Sequence, residues 1–382
     1  MSDNTGVIRY GSELERKSWM VQGMIQKKSE SFWNGLKGKT QDSVIYQKND
    51  RNASEGMTVV FDYRGNLATE GFRGSEEAFG NAKAKYKFSD KLTIEEGIYT
   101  VDNGRKYDAA IIGDMDLAEH EDSRELLSDN QVRANDQVFF DVGCGFLRGE
   151  TPSHILTVAD KSVADMTVAH KISWDFLVEI ETAAKTGKIG TYDRRAPIRP
   201  FKFAGGKRKW LCILDSYQIM DLLQDTKFQA LYQNAQVRGN GNELISHAIA
   251  EVGNLVIMEA GTFFGSSSSN ELFKQSVEMA GLRTIDEAGT FSGTTTKQAG
   301  VIASRGLLLG AGAFQEAFGM MPDYKYQPSQ DFGRVSESAL ELWHQAKRCV
   351  LTAEVKDYEE AKIAEMDYAM FVFDTYNAQL TV

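Results

Sequence analysis

The stretch Thr58-Val-Val-Phe-Asp-Tyr-Arg64, answered by Lys83-Ala-Lys-Tyr-Lys-Phe88, decides how this chain is read. Val59, Phe61 and Tyr63 alternate with Thr58, Val60 and Asp62. Ala84, Tyr86 and Phe88 alternate with Lys83, Lys85 and Lys87. Period-2 alternation gives a strand one apolar and one polar face. Between the runs stand Gly65, Gly71, Gly74 and Gly80, which tolerate backbone conformations that other residues resist. Residues 57 to 101 therefore predict a long β-hairpin with an aromatic stripe and no core of its own. A lone two-stranded hairpin is marginal in water, so this one must lie on something else. The stripe Phe61, Tyr63, Tyr86 and Phe88 is expected to fix it on a neighbouring subunit.

Working outward, residues 1 to about 50 read as an arm. Trp19, Met20, Ile25, Phe32 and Trp33 are scattered there among Gly, Lys, Ser and Gln. Asn103-Gly104 is a turn signal that closes the hairpin region. The acidic run at 114 to 125 leads into an expected helix from Ser123 to Val142, with Leu126, Leu127, Val138, Phe139 and Val142 on its apolar face. A second helix is expected over about 165 to 186, with Ile172, Phe176 and Ile180 on one face and Gly187 as its stop.

Pro197 and Pro200 mark a boundary, followed by a hairpin around Gly205-Gly206 and a buried strand, Trp210 to Leu214. Asp215 and Ser216 can cap a helix of about twenty residues. A strand at Leu255 to Glu259, hydroxyl-rich loops at 261 to 300 and apolar residues from Leu307 come next. Then follow a Pro- and Tyr-bearing loop at 322 to 335, an amphipathic helix from Ser336 to Arg348 and a last strand from Tyr368 to Phe373. The mixture is α+β without regular βα alternation, which excludes a doubly wound sheet.

Composition bounds the function. The 382 residues are 42% hydrophobic and 25% charged, ordinary for a globular protein of two or three lobes. No apolar run reaches the ~18 residues of a membrane helix. The N-terminus is polar and lacks a secretion-signal core, which predicts a cytoplasmic origin. Cys144, Cys212 and Cys349 are widely spaced and predict buried free thiols. A formal charge of −11 argues against tight nucleic-acid binding.

Motifs for chemistry do not assemble. Asp331-Phe332-Gly333 spells the metal-binding tripeptide of kinases, but no Gly-rich loop, strand lysine or catalytic loop precedes it. Glu119-His120-Glu121-Asp122 lacks a second ligand cluster, and a solvated acidic helix start explains it. Gly239-Asn240-Gly241-Asn242 does not open a helix after a strand, as a phosphate cradle must. No GxSxG elbow is present. Lys202, Lys207, Arg208 and Lys209 interleave with Phe201, Phe203 and Trp210, a pattern of single-strand binders. A hairpin with solvated lysines and core-facing aromatics is the preferred reading. No catalytic, cofactor or metal site is expected.

The order arm, hairpin, helix and compact C-terminal half resembles a tailed-phage major capsid protein of the Hong Kong 97 type, most closely the N-four-like podophage branch. Three passages carry it: the hairpin from Thr58, the run WLCILDSYQIMDLLQDTKFQALYQNAQVRGNGNELISHAIAEVGNLVIMEA from Trp210, and RGLLLGAGAFQEAFG from Arg305 with Asp323, Tyr324 and the DFGR turn. The resemblance implies an α+β capsid fold in five parts. These are an N-terminal arm (1–55), an extended loop (56–104), a peripheral domain with a spine helix (105–198), an axial domain (199–350) and a return to the peripheral domain (351–382).

It further implies hexamers and pentamers closing into an icosahedral virion shell, assembled in a host bacterial cytoplasm around double-stranded DNA that is held weakly and without sequence preference. Portal, scaffolding and decoration proteins are the implied partners, with no membrane. Two rivals stand beside it: an encapsulin-like compartment shell of the same fold, and an acidic cytoplasmic enzyme using His120 or Asp331.

Overall fold

The computed structural model describes residues 31–48, 58–64, 87–105, 116–147, 151–193, 197–202, 206–235, 248–262, 280–292, 300–330, 335–353 and 363–381. Two sheets and one long helix organise them. The central sheet has nine strands. Its axis is Ile302–Leu309, buried at every position. Arg208–Leu214 flanks one end of that strand and Thr284–Asp286 the other, while Met370–Tyr376 runs antiparallel along its opposite edge. Leu255–Glu259 then pairs in parallel with Arg208–Leu214, from Trp210 opposite Leu255 to Leu214 opposite Glu259.

Strands buried on both faces read as continuous apolar runs, which is why Trp210–Leu214 and Leu255–Met258 were legible. Phe201–Lys202 folds back on Arg208–Lys209 as the expected hairpin. Phe201 and Trp210 are buried there, and Lys202 pairs with Asp42 at 3.1 Å while Lys209 pairs with Glu251. The aromatics thus face a core rather than a stacking groove. Phe203 lies outside the described residues.

Asp215 caps the crossover helix. It accepts from Gln218 N, and the Gln218 side chain accepts in return from Asp215 N at 3.0 Å. The expected single helix is two, α3 (Ser216–Gln224) and α4 (Thr226–Ala235), broken at the extended Asp225. The helices before them in the chain are α1 (Asp116–Cys144) and α2 (Trp174–Thr186). Ser173 caps α2, and Gly187 ends it in the left-handed region at φ 75°. Residues 165 to 171, expected to be helical, form short 3-10 turns instead.

Burial drives the Asp215 carboxyl up to about 6, against hydrogen bonds from Ser304 and Gln218 that hold it down. The folded chain therefore keeps this proton to higher pH than the unfolded chain, whose Asp titrates near the ordinary value of 3.8. The resulting stabilisation is complete below that value and vanishes as pH rises through about 6. Its slope inside the window is about 1.4 kcal/mol per pH unit at most. Asp215→Asn keeps a capping oxygen and should flatten that slope. Urea midpoints measured from pH 4 to 7 check this, and parallel curves for the two proteins would refute it.

The second sheet is a long five-stranded ribbon in the order Lys37–Gly38, Ile45–Lys48, Phe314–Gln330, Val335–Arg348, Glu95–Arg105. Three expectations are corrected here. Ser336–Arg348 is not a helix but part of a 14-residue strand, Val335–Arg348. Its Ala, Leu, Glu, Gln and Lys favour a helix locally, but pairing to a strand on each side overrides propensity. Most of the expected 322–335 loop continues the strand Phe314–Gln330. Pro322 sits at a register shift between Met320 and Asp323, where no ladder donor is needed. Asn103-Gly104 is not a turn. The register slips between the pairs Val335–Arg105 and Glu337–Asp102, so the two residues make a bulge inside Glu95–Arg105.

Helix α1 spans 29 residues and lies across the ribbon. Leu127, Phe139, Phe140 and Val142 are buried, whereas Leu126 is 53% exposed and does not belong to the apolar face. All three cysteines are free and buried, as expected. Among the described residues, no helix is long and apolar enough to cross a membrane.

Candidate subunit-contact region

The expected hairpin exists, with different partners. Thr58–Arg64 pairs antiparallel with Lys87–Thr93, placing Val59 opposite Leu92, Phe61 opposite Asp90 and Tyr63 opposite Phe88. The second strand is described over Lys87–Thr93, and Tyr86 lies outside the described residues, as does the rest of the glycine-rich stretch 65 to 86. After Ile94 the chain stays extended, and Glu95–Arg105 becomes the edge strand of the ribbon.

The aromatic stripe does not wait for a neighbour. Phe61 and Tyr63 are fully buried in their own chain. With Val59, Leu92 and Ile94 they close over Ala317 and Cys349, and Tyr46, Phe88, Trp343 and Tyr368 pack around them. The Tyr46 and Phe61 rings meet edge to face at 5.2 Å, and the Tyr63 and Tyr368 rings lie 5.2 Å apart. The expectation that Phe61 and Tyr63 contact another subunit is thereby corrected. The ribbon strands and the last strands, distant in sequence, supply the covering surface, and nothing local in 57 to 101 reveals it. Phe88 is half-buried against the same cluster.

Polar clamps then fix the hairpin root. Asp90 accepts from Lys347 Nζ at 3.2 Å and from Val350 N at 3.3 Å. Lys48 Nζ donates to the Val60 carbonyl at 2.6 Å, and Gln41 donates to the Asp62 carbonyl. Gln315 Nε2 donates to the Tyr63 hydroxyl at 2.9 Å, and burial raises that phenol's pKa. What the described hairpin offers outward is its other face, Thr58, Val60, Asp62, Ser89 and Lys91.

The arm is likewise tied to its own subunit from residue 31 onward. Asp136 on α1 accepts from Ser31 Oγ and from Phe32 N, both at 2.7 Å. Trp33 is fully buried among Phe32, Phe139, Phe140 and Phe314, with ring centroids 4.9 to 5.6 Å away. Lys37 Nζ reaches Glu316 Oε1 at 2.7 Å, and His344 Nε2 lies 3.0 Å from the same oxygen. Burial alone would raise the Glu316 carboxyl; the hydrogen bond to His344 and the charge of Lys37 outweigh it and hold it below its ordinary value. Residues 1 to 30 lie outside the described residues.

Sequence reasoning missed Asp136 and Glu316, because Phe32 and Lys37, which meet them, are 104 and 279 positions away, and it missed His344, which meets Glu316 across paired strands 28 positions apart. The one available signal was Phe32-Trp33, a large apolar pair in a polar stretch. Asp331 and the side chain of His120, named for the enzyme rival, lie outside the described residues. Among the described residues, no group of three or more His, Cys, Asp or Glu is placed to hold a metal ion.

No protein-family model and no curated protein matches the chain. Solved structures do. The capsid of Ralstonia phage GP4 superposes with a TM-score of 0.69 at 17% identity, over 98% of this chain and 96% of that one. The head of Helicobacter pylori bacteriophage KHP40 gives 0.65 at 14% identity, over 98% and 96%. The capsid of cyanophage Pam1 gives 0.60 at 11% identity, over 99% and 96%. The fold is α+β and of the Hong Kong 97 type found in tailed-phage capsids. The likeness reaches that fold and no branch within it.

Proposed function

We propose that this chain is the major capsid protein of a tailed phage, a structural protein without catalysis. The observation that carries the reading is an end-to-end match to phage capsid chains, 98% of this chain against 96% of the GP4 capsid chain. In this reading, subunits associate as hexamers and pentamers into an icosahedral shell around double-stranded DNA. Residues 199–350 form the axial domain. Residues 105–198 and 351–382 form the peripheral domain, with α1 as its spine. The hairpin at 56–104 and the arm at 1–55 reach neighbouring subunits.

The corrected packing narrows how the hairpin can do so: through its polar face and through the part beyond Arg64 and Lys87. Each specific contact needs roughly 1,200–2,000 Å² of buried surface, which reaching elements supply. The −11 charge keeps the inner wall from gripping the genome. Portal and scaffolding proteins complete the assembly, and a decoration protein is a further partner.

Expression of the full chain with and without its neighbouring scaffold gene, followed by sizing and cryo-electron microscopy, tests the reading. Closed shells with five- and six-fold capsomers are expected. A monodisperse monomer at high concentration under both conditions would sink it. Shells loaded with a specific enzyme instead of DNA would favour the compartment reading.

A further inference from the structure

From Arg194 to Lys209 stand seven lysines or arginines and no acidic residue, in a chain whose formal charge is −11. The fold gathers part of this run on one face. Ile198 and Phe201 are buried and anchor it. Ile198 N donates to the Ala184 carbonyl at 2.8 Å, and the Arg199 carbonyl accepts from Ala311 N at 2.9 Å. Phe201–Lys202 then folds back on the start of Arg208–Leu214, with Lys202 directly opposite Arg208 and Phe201 opposite Lys209. Phe201 and Lys209 turn inward, so Lys202 and Arg208 share the exposed face, their Cβ atoms about 5 Å apart.

Like charges held opposite one another weaken a sheet, so this pair does not serve folding. Its neutralisation is incomplete. Asp42 accepts from both Arg199 and Lys202, one carboxylate for two cations. Glu251 neutralises Lys209. Lys207 and Arg208 are exposed and form no ion pair among the described residues. We propose that this hairpin is the surface through which the subunit touches packaged double-stranded DNA, by its phosphates alone; the inference rests on the capsid reading.

The chemistry of the face favours a nucleic acid over a protein partner. Interfaces between proteins centre on aromatic and apolar anchors and are depleted of lysine. Here Phe201 and Trp210 point into the core, and Pro197 is the only exposed apolar side chain in the described part of 197–209. Phosphates ask only for cations, and a duplex presents them at close, regular spacing. With the aromatics withdrawn no base is stacked, so the contact is indifferent to sequence. The rest of the chain is acidic and repels the same phosphates, which keeps the hold loose.

Fluorescence anisotropy of a labelled duplex of mixed sequence, titrated with the unassembled full-length chain at about 50 to 200 mM salt, tests the surface. Lys207→Gln with Arg208→Gln should bind roughly tenfold more weakly at the lowest salt, and its log–log salt slope should fall by about one per cation removed. It should melt no lower than the wild type, because it relieves the like-charge pair. Lys91→Gln with Lys227→Gln removes the same charge from exposed positions elsewhere and should leave the slope unchanged. A wild type that does not bind at the lowest salt, an unchanged slope in the first variant, or an equal loss in both variants would overturn the proposal. So would a lower melting temperature of the first variant, which would show that Arg208 serves folding, or polyglutamate displacing the duplex as well as unlabelled DNA does. Electron microscopy judges the capsid reading separately: shells built from a subunit that ignores the duplex sink only this surface, and duplex binding without any shells sinks only the capsid reading.

Discussion

Arg305→Ala should lower folding stability by about 3–5 kcal/mol, the cost of leaving one charge of a buried pair without its partner. Arg305 lies on the axis strand of the central sheet. Its Nε and Nη2 meet the two Asp374 oxygens at 2.8 Å each, and its Nη1 reaches the Cys144 carbonyl at 3.0 Å. Both side chains are almost wholly buried. The bidentate pair joins adjacent strands and ties them to the end of α1. Truncation strands Asp374 and orphans the helix-end carbonyl together. Against a typical total stability of about 5–15 kcal/mol, that loss leaves little soluble protein. Replacing both partners by leucine should recover most of it, since an apolar pair leaves no charge in the core. Guanidinium denaturation of the wild type, the single variant and the double variant checks the argument; a single variant within 1 kcal/mol of the wild type would refute it.

Trp33→Ala should cost a similar amount, about 3–5 kcal/mol, for a different reason. A fully buried indole leaves a cavity between α1 and Phe314, and the bond from Trp33 Nε1 to the Asp136 carbonyl, 3.3 Å, goes with it. The loss falls on the arm root, where Ser31, Phe32 and Lys37 hold through single polar contacts. Limited proteolysis should therefore cut the variant within 31 to 48 before the rest of the chain. Trp33→Phe should retain most of the protection. Cleavage elsewhere first, with 31 to 48 still protected, would show that the indole does not anchor this segment.

Legibility in the sequence followed the range of the interactions. Trp210–Leu214 and Leu255–Met258 are continuous apolar runs, and the cap at Asp215 and the stop at Gly187 are local signals, so those elements could be read directly, whereas the start of α2 at Ser173 was placed too early. Val335–Arg348 could not, because its residues prefer a helix until Phe314–Gln330 and Glu95–Arg105 flank it. The hairpin was half-legible for the same reason. Its alternation announced a strand with an apolar face, but what covers that face, Ala317, Cys349 and Tyr368, lies about 250 residues or more downstream. Phe61 and Tyr63 were thus correctly read as needing a cover and wrongly assigned a foreign one. The charged pairs Lys37–Glu316 and Arg305–Asp374 carry no local signature.

The uninterrupted backbone from Lys87 to Arg105 has a mechanical meaning. Its first half is a strand of the hairpin and its second half is the rim of the ribbon. Tension applied at the far end of the hairpin runs along covalent bonds into a sheet whose neighbouring strand lies alongside for about ten residues. That row of hydrogen bonds is loaded in parallel, along the strands, so it resists as a group instead of opening one rung at a time.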